Sequence, residues 1–266
     1  MTTALLSEKF HTHTDKKAKN MRTKTILLSG VLAALSGVSL MAQVYSLNAV
    51  GYINVTCGQL FTIVADQLYA SNAVNGVIPP NYISPLLDAQ LLDGNHDGVE
   101  IFKYNNGSYT TLAVQQVTGQ PAVWSDPSLA QTTTINPGES VFFYNPYSTN
   151  MTLTFVGTVP QGSLTNTALQ PNTLANGGFS MVSTIVPFGG AIDSVLGLNQ
   201  TNVNIGDEVF VYNPTAGEYA SYSTVLNSGI FSWQPNPPVL AVGQGFFYFT
   251  LSTSGVNWVQ NFSVNP

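Results

Sequence analysis

Glu100-Ile-Phe-Lys-Tyr-Asn105 and Glu208-Val-Phe-Val-Tyr-Asn213 are two versions of one six-residue segment. Each continues into a Gly-x-Tyr step, Gly107-Ser-Tyr109 and Gly217-Glu-Tyr219. Upstream, Phe61-Thr-Ile-Val64 matches Phe179-Ser-Met-Val182. Downstream, Trp124 matches Trp233, and Pro137-Gly-Glu-Ser-Val-Phe-Phe-Tyr144 matches Val242-Gly-Gln-Gly-Phe-Phe-Tyr-Phe249. The order is the same in both halves. The separation between partners drifts only from 118 to 105 residues, as loop-length changes allow. The chain is therefore a duplication whose unit, about a hundred residues, is domain-sized.

Within a unit the segments are short, apolar and separated by turn residues. Asn105-Asn106-Gly107-Ser108 lies between two β-rich runs. Asn-Gly tolerates positive φ at both central positions, so this step predicts a tight hairpin. The second copy places Asn213-Pro-Thr-Ala-Gly217 there. Val141-Phe-Phe-Tyr144 and Gly245-Phe-Phe-Tyr-Phe249 are continuous apolar runs, expected as strands buried on both faces. Residues 79–92 and 187–198 are expected to hold a short helix each. The fold class is all-β, with two tandem sandwich- or barrel-like modules. The boundaries expected are 43–165 for the first repeat and 166–266 for the second. Residues 160–178, uncharged and rich in Asn, Thr, Gln, Gly and Pro, read as a connector. Val44-Tyr-Ser-Leu-Asn-Ala-Val-Gly-Tyr-Ile53 resembles the closing strand of each repeat. Each repeat is thus expected to need a flanking strand, supplied first by the N-terminus and then by the junction.

Residues 1–42 stand apart. Met21-Arg-Thr-Lys24 is a basic start, an uncharged apolar run follows to Leu40, and Ala42 is a small residue at the expected cut. This is the three-part pattern of a secretory signal peptide, with translation expected to begin at Met21. Six of the seven Lys and Arg fall in this leader. The 224 residues after it hold Lys103 as their one cation against eleven acids, a net charge of −10. That excludes nucleic acid as a partner, because phosphate neutralisation needs many cations. Anionic lipids are disfavoured for the same reason. The same body holds one Cys (Cys57) and one His (His96), so neither an internal disulfide nor a multi-Cys metal site can form. No transmembrane helix is expected in the mature chain, which is read as periplasmic, cell-surface or extracellular.

Two groups of residues are candidate sites. Asp93-Gly-Asn95-His-Asp97-Gly-Val-Glu100 has alternating oxygen ligands and glycines at the turn, which a calcium ion requires. Asp93, Asn95, Asp97 and Glu100 are the ligand set in that reading. The position where an EF-hand carries its bidentate Glu is Tyr104, and the favoured reading is a turn entering the next strand. Trp124, Trp233 and Trp258, with Tyr104, Tyr109, Tyr212 and Tyr219, could form a stacking platform for sugars. Because the first two Trp are matched between copies, core packing is favoured for them. A triad would have to use His96, and no nucleophile motif accompanies it.

The opening Val-Tyr-Ser-x-Asn-x-Val-Gly-Tyr strand, the Phe-x-x-Val strand, the Tyr-Asn hairpin, the Pro-Gly-Glu-x-x-Phe strand and Phe155-Val-Gly-Thr-Val-Pro-Gln-Gly-Ser163 together resemble a family of uncharacterised exported bacterial proteins. They also resemble the wider class of β modules that form accessory parts of secreted bacterial proteins. The resemblance implies export and a tandem β architecture and transfers no catalytic residue. The expected function is that of an exported non-enzymatic structural or cell-surface protein, associating with itself or with extracellular polysaccharide. The alternative is a carbohydrate-binding module on the Trp and Tyr residues, and a secreted hydrolase is third.

Overall fold

The computed structural model describes residues 49–70, 77–175 and 177–264. The leader, residues 43–48 of the opening strand and residues 265–266 lie outside the described residues. The first half runs β1 (Val50–Cys57), β2 (Leu60–Val64), α1 (Ile83–Leu91), β3 (Glu100–Asn105), β4 (Ser108–Gln115), β5 (Val123–Trp124), α2 (Pro127–Ala130), β6 (Val141–Asn145) and β7 (Met151–Thr158). The second half runs β8 (Gly162–Thr165), β9 (Phe179–Val182), β10 (Gly190–Ala191), β11 (Glu208–Asn213), β12 (Glu218–Asn227), β13 (Ile230–Gln234), β14 (Val239–Leu240), β15 (Phe246–Phe249) and β16 (Val259–Phe262).

The architecture is all-β in two modules. Each has a five-stranded antiparallel sheet, in the order β2-β6-β3-β4-β5 and β9-β15-β11-β12-β13. The registers repeat as well as the order. Ile101 faces Phe143 across β3–β6, and Val209 faces Tyr248 across β11–β15. Tyr104 faces Tyr109, and Tyr212 faces Tyr219. Trp124 faces Val114, and Trp233 faces Thr224. The β3–β4 hairpin turns through Asn106 (φ 48°) and Gly107 (φ 84°), both in the left-handed region that the Asn-Gly step allows.

A two-stranded ribbon belongs to each sheet. β1 pairs with β7 over eight residues, from Val50↔Thr158 to Cys57↔Met151. β8 pairs with β16 over four. The flanking strand of the first ribbon comes from the N-terminal side and that of the second from the junction. Part of the stretch expected as a connector is thus strand β8. Its partner β16 is almost a hundred residues away, so no local signal marks it. Ile53, Val55, Leu153 and Phe155 of the first ribbon enter one core with Ile101, Leu112 and Phe143 of the sheet and Leu87 and Leu91 of α1. Trp258, immediately before β16 of the second ribbon, enters the other core with Val209, Trp233, Phe246 and Tyr248.

Two further expectations change. Residues 187–198 form turns and the short strand β10 instead of a helix. A Cβ at Gly189 would come within 2.5 Å of the Leu240 carbonyl, so this backbone is pressed against β14. Its apolar residues Ile192, Leu196 and Leu198 still fill the place that α1 fills in the first module. β6 is not buried on both faces: Val141, Phe143 and Asn145 are buried, while Phe142 and Tyr144 are half-buried. The half-buried face is where the two modules meet.

Candidate functional site

The two sheets meet through exchanged turns. The Pro137-Gly-Glu turn of the first module lies on β9, where Ser183 donates its N–H to Gly138 O at 2.9 Å. The matching Val242-Gly-Gln turn of the second lies on β2, where Ala65 donates its N–H to Gly243 O at 2.9 Å. Bridges Glu139↔Val182 and Val64↔Gln244 complete the pattern. Matched residues thus make matched bonds in both directions, which describes a pseudo-twofold axis. Near that axis Ser140 and Gly245, themselves matched positions, pack face to face. A Cβ on Gly245 would overlap Ser140 Cβ and Ile63. Ser140 donates its hydroxyl to Val182 O at 3.0 Å.

The charged groups at the junction are neutralised. Lys103 Nζ lies 3.0 Å from Glu139 Oε2 and donates to Thr134 O at 3.1 Å. Burial lowers the Lys103 pKa, and Glu139 counteracts it. The pair lies in a polar cleft of about 510 Å³ with Asn105, Gln170 and Ser180. Asp66 is fully buried and accepts from Leu68 N (3.0 Å) and Asn81 Nδ2 (2.9 Å). Burial outweighs these bonds and pushes its carboxyl up to about 7.

Beside the axis lie two apolar pockets built alike. One, of about 330 Å³, is lined by Phe61, Phe102, Tyr109 and Phe142 of the first module and Tyr212 of the second. The other, of about 300 Å³, is lined by Phe179, Phe210, Tyr219 and Phe247 of the second module and Tyr104 of the first. Each residue of one set is the repeat partner of a residue in the other. The geometry repeats too. Phe61–Phe102 centroids are 5.8 Å apart and Phe179–Phe210 6.0 Å. The cross-module contacts Phe142–Tyr212 and Tyr104–Phe247 are edge-on at 5.7 and 5.4 Å. Burial raises the phenol pKa of Tyr109 and Tyr219, and neighbouring tyrosines add to it. Both therefore stay neutral hydroxyls at physiological pH.

The residues singled out from sequence fall elsewhere, apart from the tyrosines. Trp124, Trp233 and Trp258 are 3%, 3% and 0% exposed, inside the two cores. None presents a ring face to solvent. Trp124 Nε1 donates to Asp88 Oδ1 at 2.7 Å, and Trp258 Nε1 to Leu196 O at 2.7 Å. In the Asp93 loop, the carboxylates hold turns. Asp93 Oδ1 accepts from Asn95 N at 2.9 Å and lies 2.8 Å from His96 Nδ1, while Asp97 Oδ1 accepts from Gln116 N at 2.8 Å. The Asn95 bonds lower the Asp93 pKa. Glu100 lies in β3, opposite Ala113 and Tyr144. Among the described residues, no three His, Cys, Asp or Glu side chains gather as a metal would need. Cys57 is buried, and burial pushes its thiol up to about 12, away from reactivity.

Sequence reasoning missed the phenylalanines of the pockets. The signal was present: the five positions carry the same five residue types in both copies. No helix among the described residues is long and apolar enough to cross a membrane. Compared with models of protein families, with curated proteins and with solved structures, the chain matches none of them.

Proposed function

We propose that the protein is an exported, non-enzymatic structural component of the cell surface or its matrix, working through strand-edge and surface contacts. One observation carries this reading: all four edge strands of the two five-stranded sheets lack a charged residue. They are β2, β5, β9 and β13. Edge strands ordinarily use charge, above all lysine, to prevent pairing with other chains. The exchanged turns cover part of β2 and β9, and β5 has two residues. Of these four, that leaves β13 as the longer open edge, with Ile230 70% exposed and Leu226 of the adjacent strand 56% exposed. The neutralised Lys103, the buried high-pKa Cys57 and the turn-bound Asp93 and Asp97 support a role that needs no reactive group.

The test is sedimentation velocity of the purified protein over a wide concentration range. The reading expects reversible oligomers that Ile230→Lys abolishes, with stability changed by no more than about 0.5 kcal/mol, as for a surface substitution. A monodisperse monomer at every concentration, or oligomers indifferent to Ile230→Lys, would count against it.

A further inference from the structure

We infer that the twin aromatic pockets at the module junction are a binding site for a neutral polysaccharide, each pocket taking one sugar ring. A buried aromatic kept in both copies of a duplication is explained by packing. Tyr109 and Tyr219 are 47% and 45% exposed, and Phe179 is 36% exposed. Packing does not demand large rings at such positions, yet both copies keep them with the same neighbours and spacing.

The lining selects the ligand. Neither pocket contains a charged side chain, and their walls are aromatic faces and edges with phenol hydroxyls as polar groups. A sugar ring offers apolar C–H faces to aromatic rings and hydroxyls to such a rim, whereas an anionic ligand finds no cation to pair with. The body's net charge of −10 further repels uronic-acid and other anionic polymers. At about 300 Å³ each, the pockets lie at the small end of the roughly 300–1,000 Å³ range of ligand clefts, suited to one ring apiece. A polymer that repeats one unit can engage both at once, and the second contact then benefits from the first. Each pocket borrows a tyrosine from the other module, so the site exists only when the two modules are docked.

The inference does not rest on self-association. Native affinity electrophoresis tests it, using gels containing hydroxyethylcellulose, soluble β-1,3-glucan or galactomannan, with alginate as the anionic control. Retardation by at least one neutral polymer and none by alginate is expected. Tyr109→Ala or Tyr219→Ala alone should weaken binding up to about tenfold, and the double variant should abolish it. The Tyr109→Phe/Tyr219→Phe pair should retain most binding, which separates ring stacking from damage to the fold. Ile230→Lys should bind like the parent. Absence of retardation in every neutral gel, or retardation unchanged in the double alanine variant, overturns the inference. So does loss of oligomers or of binding to a proline-rich peptide in that variant with no glycan effect, since either assigns the pockets to a protein occupant.

Discussion

The two modules share strand order and register but solve the burial of an aspartate differently. In the first, Asp66 has two donors, and its carboxyl is pushed up to about 7. In the second, Asp207 is equally buried but accepts from five groups. These are Asn204 N at 2.8 Å, Asn204 Nδ2 at 3.4 Å, Tyr248 Oη at 2.5 Å, Thr250 Oγ1 at 2.8 Å and Leu251 N at 3.3 Å. The repeat places Val99 where Asp207 stands, so the second site has no counterpart. The two copies share the pattern of apolar strands and differ in their polar fastenings. The indoles diverge likewise: Trp124 Nε1 bonds to Asp88 of α1, but among the described residues Trp233 Nε1 has no hydrogen-bond partner and its module has no counterpart of that helix.

This contrast can be broken in stages. Asp207→Ala should have the largest effect, about 3–5 kcal/mol in urea unfolding, because several buried donors lose their acceptor. A loss below 1 kcal/mol would mean the network is not a fastening. Asp66 should show itself through pH. Its folded pKa lies above the unfolded value, so its contribution is fully present below about pH 4 and is lost as pH rises through about 7. The loss should be on the order of 4 kcal/mol, from about three pKa units at 1.36 kcal/mol each, and Asp66→Asn should flatten that part of the stability profile. Making the copies alike at the axis comes next. Gly245→Ser should cost about 2–3 kcal/mol through overpacking, and Ser140→Gly only about 1 kcal/mol. Equal thermal shifts for the two would deny the close approach. The smallest contrast is between indoles: Trp124→Phe should cost about 1–2 kcal/mol more than Trp233→Phe, because only the first leaves a bonded acid behind.

The duplication, the all-β class and the Asn106-Gly107 hairpin were legible because each rests on local pattern. The helix expected over residues 187–198 was not, because Gly189 and Gly190 are set by contact with β14, a partner some fifty residues away. Strand β8 was hidden for the same reason. At the candidate site, the four tyrosines could be named from sequence, but the matched Trp drew attention although both serve the cores. That Tyr104 and Tyr212 cross to the other module's pocket depends on how the sheets dock, which no spacing within one repeat encodes.

The Ser140–Gly245 contact shows what two copies in one chain can do that two identical subunits cannot. In a dimer of two identical single-repeat subunits, both positions facing the axis would carry the same residue. Two glycines fit there and two serines would overlap. A single chain carrying both copies is free of that constraint, and Ser140 uses the freedom for its bond to Val182 O while Gly245 makes room for it.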